Sequence, residues 1–240
     1  MYQPRTYRHE IKDSDLVSFT VAVKETDLYI RAAGDLTREA LAAIHEFRGP
    51  LEGYIRGHPL FLHSLRPLAV ESGAPEIVHI MAEAARLANV GPMAAVAGAM
   101  AELVGRKLLG ISPEVIVENG GDIFLKVNSR RQIGIYAGKS VFTGKLAIEV
   151  PPGWTPLGVC TSSGTVGPSL SLGVADAAII VAPSAALADA AATAVGNMVK
   201  SEQDINAAIG RGKQIKGITG IVVIVGGNMG AWGDIRLVKT

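Results

Sequence analysis

Three short segments carry the residues best suited to chemistry. In Ala188-Asp189-Ala190-Ala191-Ala192-Thr193-Ala194 a carboxylate and a hydroxyl lie four residues apart, which puts them on one face of a helix. Alanine fills the interval, so nothing crowds that face. The pair suits a hard, oxygen-seeking cation such as Mg²⁺, with water, a backbone carbonyl and a substrate phosphate completing the shell. It also suits a plain helix in which Thr193 bonds the backbone and Asp189 faces water. The second segment, Glu118-Asn119-Gly120-Gly121-Asp122, ends an apolar strand. Its two glycines leave backbone N–H groups open to a phosphate or a flat ring, and Asp122 can bind a hydroxyl. The same residues make an ordinary tight turn between two strands. The third, Cys160-Thr161-Ser162-Ser163-Gly164-Thr165-Val166-Gly167, offers four hydroxyls and two glycines after another strand. Such a loop can bond a phosphate without a cation, or be simply polar; it lacks the lysine and spacing of a Walker loop. No histidine lies in residues 80–240, so Cys160 reads as a small buried side chain rather than a nucleophile.

The elements that position these segments read as follows. Residues 16–23 and 28–32 form a β-hairpin. Leu41, Ile44, Phe47, Leu51 and Ile55 recur at helical spacing, with Gly49-Pro50 breaking or kinking that helix. Residues 58–74 read mostly as loop, and Pro75 opens a helix with Ile77, Ile80, Met81, Ala84 and Leu87 on its apolar stripe. A second helix, 93–109, is built almost wholly of small residues and is capped at Gly110. Short strands follow at 114–118, 122–127, 133–136, 146–150, 158–162 and 177–182. A helix then runs from Ser184 to about Met198, with a short helix near 203–209 and strands at 221–225 and 235–239. The order has no regular βαβ rhythm. It predicts an α+β fold, mainly antiparallel sheets packed with helices, as a single domain over 1–240 or two intimately joined lobes.

Composition removes several classes. The chain has 240 residues, 48% hydrophobic and 19% charged, a globular balance large enough for its own core. A formal charge of +1 argues against a bulk nucleic-acid binder. One cysteine excludes an internal disulfide and a multi-cysteine zinc site. The apolar stretch 174–195 is interrupted by Asp176, Pro183 and Asp189, so no membrane span is expected. No secretory leader is read at the N-terminus, and a cytoplasmic location is expected. The 28 glycines point to close backbone approaches, and a mean hydropathy of +0.30 hints at a homo-oligomer. His9, His45, His58, His63 and His79 lie in the first third of the chain; none is assigned to catalysis. Arg56 and Arg66 are possible phosphate partners.

The order small-residue helix, V-E-N-G-G-D-I, T-S-S-G, A-D-A-A-A-T-A resembles the ApbE superfamily, the FAD:protein FMN transferases. The resemblance spans roughly residues 90–200, and A-D-A-x-A-T-A is its most specific element. The run G-P-M-A-A-V-A-G-A points to a distinct ApbE-related branch. The resemblance implies Mg²⁺ at Asp189, Thr193 and a backbone carbonyl near Ala94 or Ala95. It also implies a flavin-nucleotide pocket lined by Asn119, Gly120, Gly121, Asp122, Thr161, Ser162, Ser163 and Gly164. It further implies transfer of FMN from FAD to a threonine of an acceptor protein, with release of AMP. The chain departs from the family in three respects. The histidine after T-S-G is replaced by Gly167-Pro168-Ser169-Leu170-Ser171-Leu172-Gly173. The lysine and aspartate of K-G-x-x-x-D are read as absent from Ala95-Val96-Ala97-Gly98-Ala99-Met100. No lipoprotein export signal is expected from the N-terminal residues either. Asp176, or Ser169 with Ser171, would have to replace the histidine. No residue is given a catalytic role, and the alternative expectation is a flavin or nucleotide carrier or sensor without transfer chemistry.

Overall fold

A computed structural model describes residues 15–166 and 171–240. Strands β1 (Val17–Val23) and β2 (Thr26–Ala32) form the expected hairpin, with Val23 opposite Thr26. Helix α1 (Thr37–Gly57) runs unbroken through Pro50, where the sequence had suggested a break or kink. A proline inside a helix costs about 3 kcal/mol. Phe47 and Leu51, on either side of it, are both buried, and each contributes about 1.5–3 kcal/mol. Burial therefore outweighs the lost hydrogen bond. Next come the short α2 (Leu60–His63) and α3 (Glu76–Ala88), which ends at Asn89 in the left-handed conformation. A 3₁₀ turn, Pro92–Ala95, leads into α4 (Val96–Leu108). Its C-cap is Leu109 rather than the expected Gly110.

The rest of the chain supplies β3 (Val115–Asn119), β4 (Asp122–Lys126), β5 (Arg131–Gly134), β6 (Leu146–Val150), β7 (Leu157–Ser162) and β8 (Ala177–Ala182). Then follow α5 (Ala185–Met198), α6 (Ile205–Gly212), β9 (Gly220–Val225), β10 (Asn228–Gly233) and β11 (Leu237–Lys239). Eight strands make one antiparallel sheet in the order β1-β2-β3-β4-β7-β8-β9-β10. A second sheet has the order β11-β6-β5. Alternation along each strand sends side chains to opposite faces. Val117, Phe124, Cys160, Ala178 and Ile180 pack beneath the helices. Leu125, Val159, Ile179, Val181, Val222 and Ile224 pack against Ile135, Ile148 and Val150 on the other face. The large sheet is thus the middle layer of an α+β fold. Among the described residues, no single helix is long and apolar enough to cross a membrane.

Small residues let the layers touch backbone to backbone. A Cβ on Gly98 of α4 would overlap the Ala185 carbonyl and sit 2.8 Å from the Asp189 Cβ. On the sheet side, a Cβ on Gly158 of β7 would overlap the same Ala185. The start of α5 is therefore clamped between α4 and the sheet.

Candidate functional site

Asp189 sits where α4 begins. One carboxylate oxygen, Oδ2, accepts the Gly98 N–H at 2.9 Å, and the Ala97 N–H also points to the carboxylate. These are donors of α4's first turn, which receives no side-chain cap from its own N-cap residue, Ala95. An anion there satisfies open N–H groups and the helix dipole. The contact is returned one turn further along α4. The buried Glu102 accepts the Ser184 hydroxyl at 2.8 Å and the Ala186 N–H at 3.2 Å with Oε2, while Oε1 pairs with Arg106. Ser184 in turn accepts the Leu187 N–H at 3.3 Å. Each helix thus carries the carboxylate that caps the other.

The glycine turn docks against the same place. Asn119 is buried, and its amide donates to the Ala97 carbonyl at 3.2 Å. Gly120 and Gly121 have φ of 69° and 102°, a backbone that L side chains rarely adopt. The Gly121 N–H donates to Glu118 Oε1 at 2.8 Å, and nothing occupies the space where a Cβ would stand. Asp122 is buried and accepts the Thr161 N–H at 3.3 Å, tying the turn to the start of the hydroxyl loop. Ser162, at the end of β7, has its hydroxyl 3.4 Å from the Cβ position of Gly196 on α5.

Beyond Ser162 the loop bonds mainly to itself. Ser163 Oγ accepts the N–H groups of Thr165 and Val166 at 3.1 and 3.0 Å. Gly164 N–H donates to the Ala175 carbonyl at 2.8 Å. Thr165 donates to Asp176 Oδ1 at 2.9 Å, and Asp176 Oδ2 accepts the Gly226 N–H at 2.7 Å. Asp176 is therefore committed to holding this loop against the β9–β10 turn, which argues against it as a substitute for the missing histidine. Ser171 Oγ accepts the Gly173 N–H at 3.3 Å, and Ser169 lies outside the described residues. The structure thus brings Asn119, Asp122, Asp189 and the Thr161–Ser162 end of the loop together, while the Ser163 hydroxyl turns inward.

Among the described residues the site is acidic with no cation paired to it. Burial, then the charge of Asp189, pushes the Asp122 carboxyl well above the usual range. Burial also raises Asp189, to about 7, against the opposing pull of the Gly98 and Ala97 N–H groups. The fully buried Cys160 thiol is pushed up by burial and then by Asp122. It donates to the Ala185 carbonyl at 3.3 Å, as an inert core thiol does. Among the described residues neither Asp122 nor Asp189 has an ion-pair partner. The Thr193 hydroxyl, half-buried one turn beyond Asp189, makes no hydrogen bond among them. These hard oxygens fit a divalent cation. Among the described residues no group of three His, Cys, Asp or Glu could hold a metal. Further ligands would then come from carbonyls such as that of the buried Ala95, from water or from substrate. Two cavities, about 570 Å³ beside Lys145 and Lys239 and about 170 Å³ beside Trp154 and Asp234, are lined by none of these residues.

Residues 8–231 match the family described as AbpE bacteria. The chain belongs to that family. A UPF0280 protein of Methanocaldococcus jannaschii is 44% identical over 227 residues, covering 92% of each chain. A UPF0280 protein of Methanocella arvoryzae is 40% identical, covering 89% of this AbpE-family chain and 87% of its own. Among solved structures, the flavinyl transferase ApbE of Pseudomonas stutzeri covers 91% of this chain and 94% of its own, with a TM-score of 0.58 at 13% identity. The flavin transferase ApbE of Vibrio cholerae gives 91%, 96%, 0.59 and 12%. The fold is ApbE-like, and at such identities the likeness extends to the fold alone.

Sequence reasoning missed Glu102. The stretch read for K-G-x-x-x-D stopped at Met100, yet counting from Gly98 its acidic position is 102, a glutamate. Of the two charges read as absent, only the lysine's is, with Ala97 in its place. The i, i+4 spacing from a glycine at a helix crossing was the available signal.

Proposed function

We propose that this AbpE-family protein binds a flavin nucleotide, FAD, with Mg²⁺ at Asp189 and Thr193, as a transferase that moves FMN to an acceptor protein. The observation that carries this reading is the pair of desolvated carboxylates, Asp122 and Asp189, with no basic partner among the described residues. The open Gly120-Gly121 turn and the Thr161–Ser162 strand end lie beside them. In this reading Gly120 and Gly121 let a ligand approach the backbone, and Asn119 holds the turn in register with α4. Thr193 supplies the second side-chain oxygen to the ion. A bound divalent ion would offset pyrophosphate charge and the charge developing on departing AMP.

A second reading, a flavin carrier or sensor without transfer, has its own support. No histidine follows position 79, and Asp176 is held at both carboxylate oxygens. The readings separate in one experiment. Purified protein is titrated with FAD, with and without Mg²⁺, and followed by flavin fluorescence, then assayed for AMP. Mg²⁺-dependent FAD binding with AMP release on adding acceptor proteins supports the transferase; binding without AMP supports the carrier. Absence of FAD binding defeats both.

A further inference from the structure

We propose that Glu102 is the positioning residue of this site, fixing where α5 presents Asp189. The claim rests on the reading of Asp189 as a site residue but stands on separate geometry. Glu102 is 1% exposed, yet it meets the exposed Arg106 with one oxygen and grips the first turn of α5 with the other. From that grip Asp189 is one turn along α5, and from Gly98 Glu102 is one turn along α4. The two carboxylate contacts therefore bracket the Gly98–Ala185 crossing, which itself has backbone contact but no directional side-chain bond. Glycine and alanine bring the two helices close, but they carry no polar group that fixes one axial register, so the register rests on the carboxylate contacts. A buried carboxylate bonded to both a hydroxyl and a backbone N–H has one position that satisfies it. A cation drawing on Asp189 competes with the Gly98 N–H for that carboxylate. Glu102 is then the contact that keeps the helices in register, as outer partners of metal ligands do.

The test compares Glu102→Ala, Glu102→Gln and Ser184→Ala with the parent protein, free of metal and with Mn²⁺ as the probe. Amide hydrogen exchange is read at Gly98, on the crossing, and at Ile180, in mid-sheet; Mn²⁺ binding is read by electron paramagnetic resonance. Glu102→Ala is expected to speed exchange at Gly98 at least tenfold relative to Ile180 and to weaken Mn²⁺ binding about 10–100-fold. Glu102→Gln keeps an acceptor oxygen and is expected to restore most of both; Ser184→Ala is expected to shift both in the same direction by less. Equal acceleration at Gly98 and Ile180 with Mn²⁺ binding intact would overturn the proposal and leave Glu102 a general stabiliser. Should Glu102→Ala fail to fold, Ser184→Ala decides by the same readouts. Should the parent bind no Mn²⁺, the metal reading of Asp189 fails, and Gly98 exchange alone decides the positioning role.

Discussion

At the scale of single residues, Asp189 does two things that pull in opposite directions. As a cap it satisfies donors of α4; as a half-buried, desolvated charge it is disfavoured. Its folded pKa of about 7 lies above the 3.8 of an unperturbed aspartate, so between these values the folded chain binds the more protons. Stability of the metal-free protein therefore falls as pH rises from about 4 to about 7, opposite to a salt-bridged carboxylate. Thermal melts without metal are expected to give a lower Tm at pH 8 than at pH 5.5, and saturating Mg²⁺ is expected to narrow that gap. Equal melting at both pH values would contradict the desolvated pair. Asp189→Asn keeps the cap and removes the charge. It is expected to raise the metal-free Tm at pH 8 while abolishing Mg²⁺-dependent FAD affinity, whereas Asp189→Ala also loses the cap, about 1 kcal/mol. That Asp189 and Thr193 share one helix, a turn apart, was legible from four-residue spacing. The capping of α4 was not, because its donor and acceptor are separated by 91 positions along the chain and only the fold joins them.

Among the elements, those whose side chains announce their environment were read correctly. The β1–β2 hairpin, the alanine-rich α5 starting after Ser184 and the apolar β8 all stand where the sequence pattern placed them, and Ser184 caps α5. Strand β10, Asn228–Gly233, escaped notice because N-M-G-A-W-G has neither β-branched residues nor alternation. It is a strand because all six residues pair with β9, with Gly230 lying under Ile205 and Ile209. Likewise, Pro50 reads locally as a break, but the buried stripe on both sides keeps α1 whole. Gly98 is the element-scale counterpart of Asp189. Gly98→Ala would drive a methyl into the Ala185 carbonyl. A cost of about 1–3 kcal/mol is expected, measured by urea unfolding, together with loss of the Asp189 contact seen as a shifted Gly98-region amide spectrum. An alanine tolerated without either change would mean that the two helices separate freely.

For the whole molecule, the smaller sheet needs its own attachment. Arg131 of β5, 5% exposed, meets Asp15 Oδ2 at 2.7 Å and Glu114 Oε2 at 3.1 Å, linking that sheet to segments that precede β1 and β3. Arg131→Met is expected to cost about 1–3 kcal/mol, as loss of charged hydrogen bonds does. In hydrogen exchange, β5 and β6 are expected to open before β7 and β8. Simultaneous exchange of all four strands would show that the apolar contact between the sheets suffices alone.

Alanine is ordinarily the residue a protein surrenders most cheaply, and here that expectation reverses. Along the buried side of α5 the small side chains are the spacing itself, so there is no slack to absorb a branch. In a saturation scan scored by abundance, positions 185, 186, 188, 190, 191 and 192 should reject valine and leucine more severely than the large side chains around them reject trimming. The protein would then prove most fragile where its sequence looks most bland.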